Sequence, residues 1–120
     1  MRDLDARSPA PAALRIGCAG WSLGSRHRGA FAAAGSQLER YASVFPAVEV
    51  NSSFYRPHRR STYARWAAAV PVDFRFAVKL PRAITHERRL LESGELLDRF
   101  LDEVGGLGDR LGCLLIQLPP

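Results

Sequence analysis

Between Phe45 and Lys79 the chain twice alternates apolar and polar side chains with the period-two pattern of a β-strand. In Ala47-Val48-Glu49-Val50-Asn51, Val48 and Val50 share one face while Glu49 and Asn51 share the other. In Asp73-Phe74-Arg75-Phe76-Ala77-Val78-Lys79, Phe74, Phe76 and Val78 lie on one face, and Arg75, Ala77 and Lys79 on the other. Leu14 to Cys18 reads as a short strand before them, left through the turn Ala19-Gly20-Trp21-Ser22. Leu111 to Gln117 reads as a last apolar strand, closed by Leu118-Pro119-Pro120.

Helical spacing fills the intervals. Ser36-Gln37-Leu38-Glu39 is a capping-box pattern, and Leu38, Tyr41, Ala42 and Phe45 follow on one face until Pro46 stops the run. Ser61 is expected to cap a second helix with Tyr63, Trp66, Ala67 and Val70 inward, ending at Pro71. A third, from about Ser93 to Val104, presents Leu96, Leu97, Phe100, Leu101 and Val104, and Gly105-Gly106 ends it. The order βαβαβαβ predicts an α/β fold with a parallel sheet covered by helices. A small open sheet and the first half of an eight-stranded barrel both fit this pattern.

The chain's 120 residues suit one small domain, and 47% hydrophobic with 24% charged residues is ordinary for a globular protein. A formal charge of +5 permits an anionic partner without specifying one. Residues 1–13 pair Asp3 and Asp5 with Arg2 and Arg7, then run Ser8-Pro9-Ala10-Pro11, and are expected to be a disordered leader. They lack the apolar segment of a signal peptide, and no apolar run reaches membrane-spanning length, so a cytoplasmic protein without membrane contact is expected. Cys18 and Cys113 sit in apolar strand runs without a Cys-x-x-Cys, which points to small hydrophobes in a reducing compartment.

Metal and cofactor motifs do not stand out. His27, His58 and His86 share no ligand spacing, so no metal site is assigned. There is no Gly-rich phosphate loop or nucleophile elbow, and Gly17-Cys18-Ala19-Gly20 is too short for a dinucleotide motif, so the cofactor is unknown. Lys79 is the more informative signal, being the one lysine beside sixteen arginines and placed at a strand end. Glu49 and Lys79 on the inner faces of successive strands are costly to bury unless paired or used.

Five segments in order carry a resemblance: Ile16-Gly17-Cys18-Ala19-Gly20-Trp21-Ser22, Val48-Glu49-Val50-Asn51-Ser52-Ser53-Phe54-Tyr55, Phe74 to Lys79, Ile84-Thr85-His86 and Gln117-Leu118-Pro119-Pro120. Together they resemble the DUF72, or YecE-like, family. The resemblance implies a TIM-type barrel of bacterial cytoplasm whose biochemical function is not established. Residues 14–120 would then be its first half, (βα)3β, with parallel strands and outer helices, truncated after the fourth strand because a whole barrel needs about 250 residues. The loop from Leu23 to Gly35 departs from the aromatic-rich segment usual in the family. The first and fourth strands would keep exposed edges, so either the missing C-terminal half or self-association is expected to cover them.

Barrel active sites sit at the carboxyl ends of the strands. The catalytic candidates are Lys79 as electrostatic or amine catalyst, Glu49 as its partner and His86 as acid/base. Trp21, Ser22, Asn51, Ser52, Tyr55, Thr85 and Gln117 are candidate substrate contacts, with Phe54 beside them. Arg56, Arg59 and Arg60, with His58, and Arg82, Arg88 and Arg89, with His86, form an arginine rim suited to phosphate or nucleic acid. Structural roles stand beside each: a buried Glu49–Lys79 pair, Asn51 and Gln117 satisfying backbone groups, and Trp21, Phe54 and Tyr55 packing. The expected activities are a barrel enzyme acting on a small or phosphate-bearing substrate, a phosphate or nucleic-acid binding module, or an inactive fragment of a longer barrel.

Overall fold

The computed structural model describes residues 14–120, so the expected leader at 1–13 lies outside the described residues. The elements run β1 (Gly17–Ala19), α1 (Gln37–Ala42), β2 (Ala47–Val50), α2 (Arg60–Ala68), β3 (Arg75–Lys79), α3 (Gly94–Val104) and β4 (Leu111–Leu115). The four strands form one sheet in the order β1-β2-β3-β4, every neighbouring pair parallel. Each crossover carries a helix to the same side, as in half of an eight-stranded (β/α) barrel.

Strand alternation decides which face becomes the core. Val48, Val50, Phe76 and Val78 are buried beneath Leu38 and Tyr41 of α1, Tyr63 of α2, and Phe100 and Val104 of α3. Full burial of a side chain such as Phe76 contributes roughly 1.5–3 kcal/mol. The other sheet face is an open trough of about 390 Å3, where Ala47, Glu49, Arg75, Ala77 and Cys113 line the concave side. Core packing among the described residues therefore lies between sheet and helices, and the trough is on the opposite face of the sheet.

The two strands without an outer neighbour depart most from expectation. Leu14 and Ile16 are exposed and precede β1, and β4 stops at Leu115, leaving Ile116, Gln117 and Leu118 exposed. Cys18 and Cys113 are exposed as well, and not the small core hydrophobes expected; both border the open trough. Close approach explains Gly17: a Cβ there would overlap the Ala47 carbonyl of the neighbouring strand.

At α1 the capping box forms as expected: the Glu39 backbone N–H donates to Ser36 Oγ at 3.2 Å, while the Glu39 carboxylate accepts from the Ser36 N–H. Helix α2 starts one residue before the expected Ser61 cap, with Arg59 in the capping position and no side-chain cap. Arg60 instead anchors that end, donating to the Asp102 carbonyl of α3 at 2.7 Å. Between β3 and α3, Ala83–Glu87 forms a single π-helical turn, followed by positive φ at Arg89, Leu90 and Glu92. This turn buries Ile84 and Thr85 and directs His86 back toward the strand ends.

Candidate functional site

Directly after β2 the backbone tightens into a 3-10 turn over Ser52–Phe54, whose side chains reach Lys79 on one side and His58 on the other. The buried Ser53 Oγ lies 2.6 Å from the Lys79 carbonyl and 3.1 Å from the Val50 carbonyl, tying the ends of β2 and β3 together. Phe54 lays its ring under the Lys79 ammonium, 4.3 Å from Nζ to the centroid. Ser52 turns the other way, its Oγ 2.7 Å from His58 Nε2.

Lys79 is buried at 8% exposure, and its ammonium donates to Asn51 Oδ1 at 3.2 Å. Glu49 is not its partner. The β2–β3 register sets Glu49 opposite Ala77 and Val50 opposite Val78, so Asn51 is level with Lys79 and Glu49 lies one layer deeper. No ion pair among the described residues includes Lys79 or Glu49. Glu49 instead lines both the trough and a strand-end cavity of about 230 Å3, which it shares with Trp21, Ser22, Asn51 and Ser52. The ammonium thus rests on an amide oxygen and a π face, which stabilise it without neutralising it.

His86 meets the same aromatic ring from the side, perpendicular to Phe54 at 5.0 Å between centroids. Its Nδ1 is 2.8 Å from Thr85 Oγ1, and Thr85 is fully buried. Thr85 therefore stands behind the imidazole and orients it; burial keeps it from the substrate contact expected of it. Phe54 is the hub that joins Lys79 to His86, a role that strand periodicity had no means of showing.

His58, a member of the basic cluster in sequence, is partly enclosed by aromatic rings. Its ring packs edge-on against Trp66 at 5.2 Å and Tyr63 at 5.7 Å. Burial, then the nearby Arg56 charge, lowers its pKa from the usual 6.5. Tyr63 below it is pushed up to about 12, chiefly by burial and further by the Glu103 charge.

The remaining candidates scatter. Trp21 packs edge-on against Trp66 at 4.9 Å and also lines the strand-end cavity with exposed Ser22. Tyr55 is exposed and touches Phe54, while Gln117 is exposed beyond the end of β4. Arg56 and Arg82, from different loops, line one cavity of about 190 Å3 with Phe54 and Phe100. Arg82 also pairs with Glu87 at 3.7 Å, and Arg88 donates to the Glu92 carbonyl. Arg59 and Arg89 are exposed. Arg60, bound to α3, does not belong to the rim. Among the described residues no three His, Cys, Asp or Glu side chains converge as metal ligands.

Residues 15–120 match the family described as "Protein of unknown function DUF72". The chain belongs to the DUF72 family. The UPF0759 protein YecE of Escherichia coli K12 is 34% identical over 84 residues, covering 70% of this chain and 31% of that protein. The UPF0759 protein YunF of Bacillus subtilis is 29% identical over 113 residues, covering 89% of this chain and 40% of that one. A crystal structure of a DUF72 family protein from Enterococcus faecalis V583 superposes with TM-score 0.71 at 27% identity, covering 88% of this chain and 39% of that one. The chain thus spans about a third of the length of the curated relatives it matches. The DUF72 likeness and the parallel βα order agree on the first half of a TIM-type barrel.

Proposed function

We propose that this DUF72 chain contributes the N-terminal half of a barrel enzyme that binds a small anionic, phosphate-bearing substrate at the carboxyl ends of β1 to β3. One observation carries the proposal: a buried ammonium, Lys79, held by Asn51 and Phe54 with no carboxylate paired to it among the described residues. A buried cation without a counter-ion attracts an anion strongly, because little water is present to screen it. Arg56 and Arg82 on the cavity bordering Phe54 add donors suited to phosphate oxygens. In this proposal Lys79 neutralises charge that develops in the transition state, and His86, held by Thr85, moves the proton. Glu49 lies a layer below and polarises the floor of the site. A nucleic-acid surface is the weaker alternative, since Arg60, Arg82 and Arg88 are already engaged by groups of their own chain.

Because Lys79 is the one lysine, a reduced adduct mapped to a lysine side chain reports on it alone. The full chain is treated with pyridoxal phosphate and borohydride, with and without inorganic phosphate, and the adduct is mapped by peptide mass spectrometry. Saturable protection of Lys79 by phosphate is expected. Phosphate that alters neither adduct formation nor the melting temperature would overturn the proposal.

A further inference from the structure

Ser52, which lines the strand-end cavity, and His58 behind it form a second chemical centre that does not include Lys79 or His86. Among the described residues, Ser43, Ser53 and Ser93 direct their hydroxyls to backbone carbonyls, and Ser36 uses its own as a helix cap. Ser52 instead meets an imidazole nitrogen at 2.7 Å. That distance is a strong O–H···N contact, and in the Nδ1–H tautomer the hydroxyl donates to Nε2. The imidazole is wedged between Trp66 and Tyr63, which holds its ring plane. Ser52 also lines the cavity with Asn51 and Trp21, which gives a small reactant space beside this residue.

A serine with its hydroxyl on a fixed, neutral imidazole is an activated nucleophile. We infer that Ser52 and His58 are a nucleophile–base pair that cleaves small carboxylic esters by acyl transfer to Ser52. The Ser52 oxygen bonds to the acyl carbon as its proton passes to His58 Nε2. The ester C–O bond then breaks, and the alcohol leaves with that proton. Water attacks the acyl carbon next, giving its proton to Nε2, and the Ser52 oxygen departs with the proton restored. Esters are favoured over amides because no carboxylate backs His58 among the described residues, so the imidazolium is less stabilised than in a full triad. A cavity of about 230 Å3 suits a short acyl group.

The test uses the full chain and an uncharged biotinylated fluorophosphonate, which bonds to activated serines with loss of fluoride. Because this probe carries no anionic group, its outcome is independent of phosphate protection at Lys79, and either proposal can fail alone. Labelling is expected at Ser52, absent in Ser52→Ala, reduced more than tenfold in His58→Ala and partly restored to that variant by added imidazole. Rescue by imidazole separates proton transfer from a merely structural role of the ring, provided circular dichroism shows His58→Ala folded. His58→Gln serves where the alanine variant does not fold. Failure to label Ser52, or equal labelling rates with and without His58, would overturn the inference.

Discussion

The Lys79 ammonium donates to Asn51 Oδ1 across 3.2 Å, joining the carboxyl ends of two strands through residues 28 apart in the chain. The cation is buried, so this amide oxygen is its main polar partner among the described residues, and the Phe54 ring completes its surroundings.

Removing one member of that pair is expected to cost more than removing both. Asn51→Leu leaves a buried ammonium without its acceptor and should lower the unfolding free energy by about 2 kcal/mol. Adding Lys79→Met should recover most of that loss, because it removes the charge that was stranded. Urea unfolding of the two single variants and the double variant closes the cycle. Strictly additive effects would show that the two side chains do not interact.

Tyr41 bridges β1 to β2 from behind. Its hydroxyl accepts from the Cys18 N–H at 2.7 Å and donates to the Ala47 carbonyl at 2.7 Å, and burial raises its pKa above the usual 10.0. Tyr41→Phe keeps the ring but strands both backbone groups, so a loss of about 1–3 kcal/mol is expected by urea unfolding. An unchanged midpoint would mean that water replaces the hydroxyl without cost.

His58 makes stability depend on acid. Its folded pKa lies below the unfolded 6.5, so on acidification the unfolded chain takes up this proton first. The His58 contribution is fully present above 6.5 and is lost as pH falls through the depressed folded value, with Arg56 acting in the same direction. Unfolding measured across about pH 5 to 8 should show a shallower acid slope in His58→Gln than in the parent chain. Parallel slopes would assign the acid sensitivity to other groups.

Alkali acts through Tyr63 with the opposite sense. Its phenol is held up to about 12 when folded against 10.0 when unfolded, so the unfolded chain loses this proton first. The contribution is fully present below 10.0 and falls as pH rises toward about 12. Tyr63→Phe should flatten that decline, and phenolate absorbance should report Tyr63 ionising only together with unfolding. Early ionisation without loss of structure would show that the ring is accessible to water.

Much of this molecule follows from local rules that its sequence states openly. The alternation of Val48 with Glu49, and of Phe76 with Ala77, determines which strand face meets the helices, because successive side chains point to opposite sides. Ser36 and Glu39 determine the start of α1, since the reciprocal cap needs only residues of one turn. The parallel βα order and the DUF72 motifs determine the fold and the end of the sheet where the candidate site gathers.

Tertiary structure alone decided who meets whom. Asn51, and not Glu49, reaches Lys79 because strand register sets depth, and a shift of one layer exchanges a carboxylate for an amide. Thr85 is buried because a π-helical turn, which no periodicity announces, swings it behind His86. Ser52 finds His58 only through the path of the loop between β2 and α2, where the side chains are six residues apart and no regular spacing applies. Periodicity is a property of neighbours in the chain; the site is made by neighbours in space.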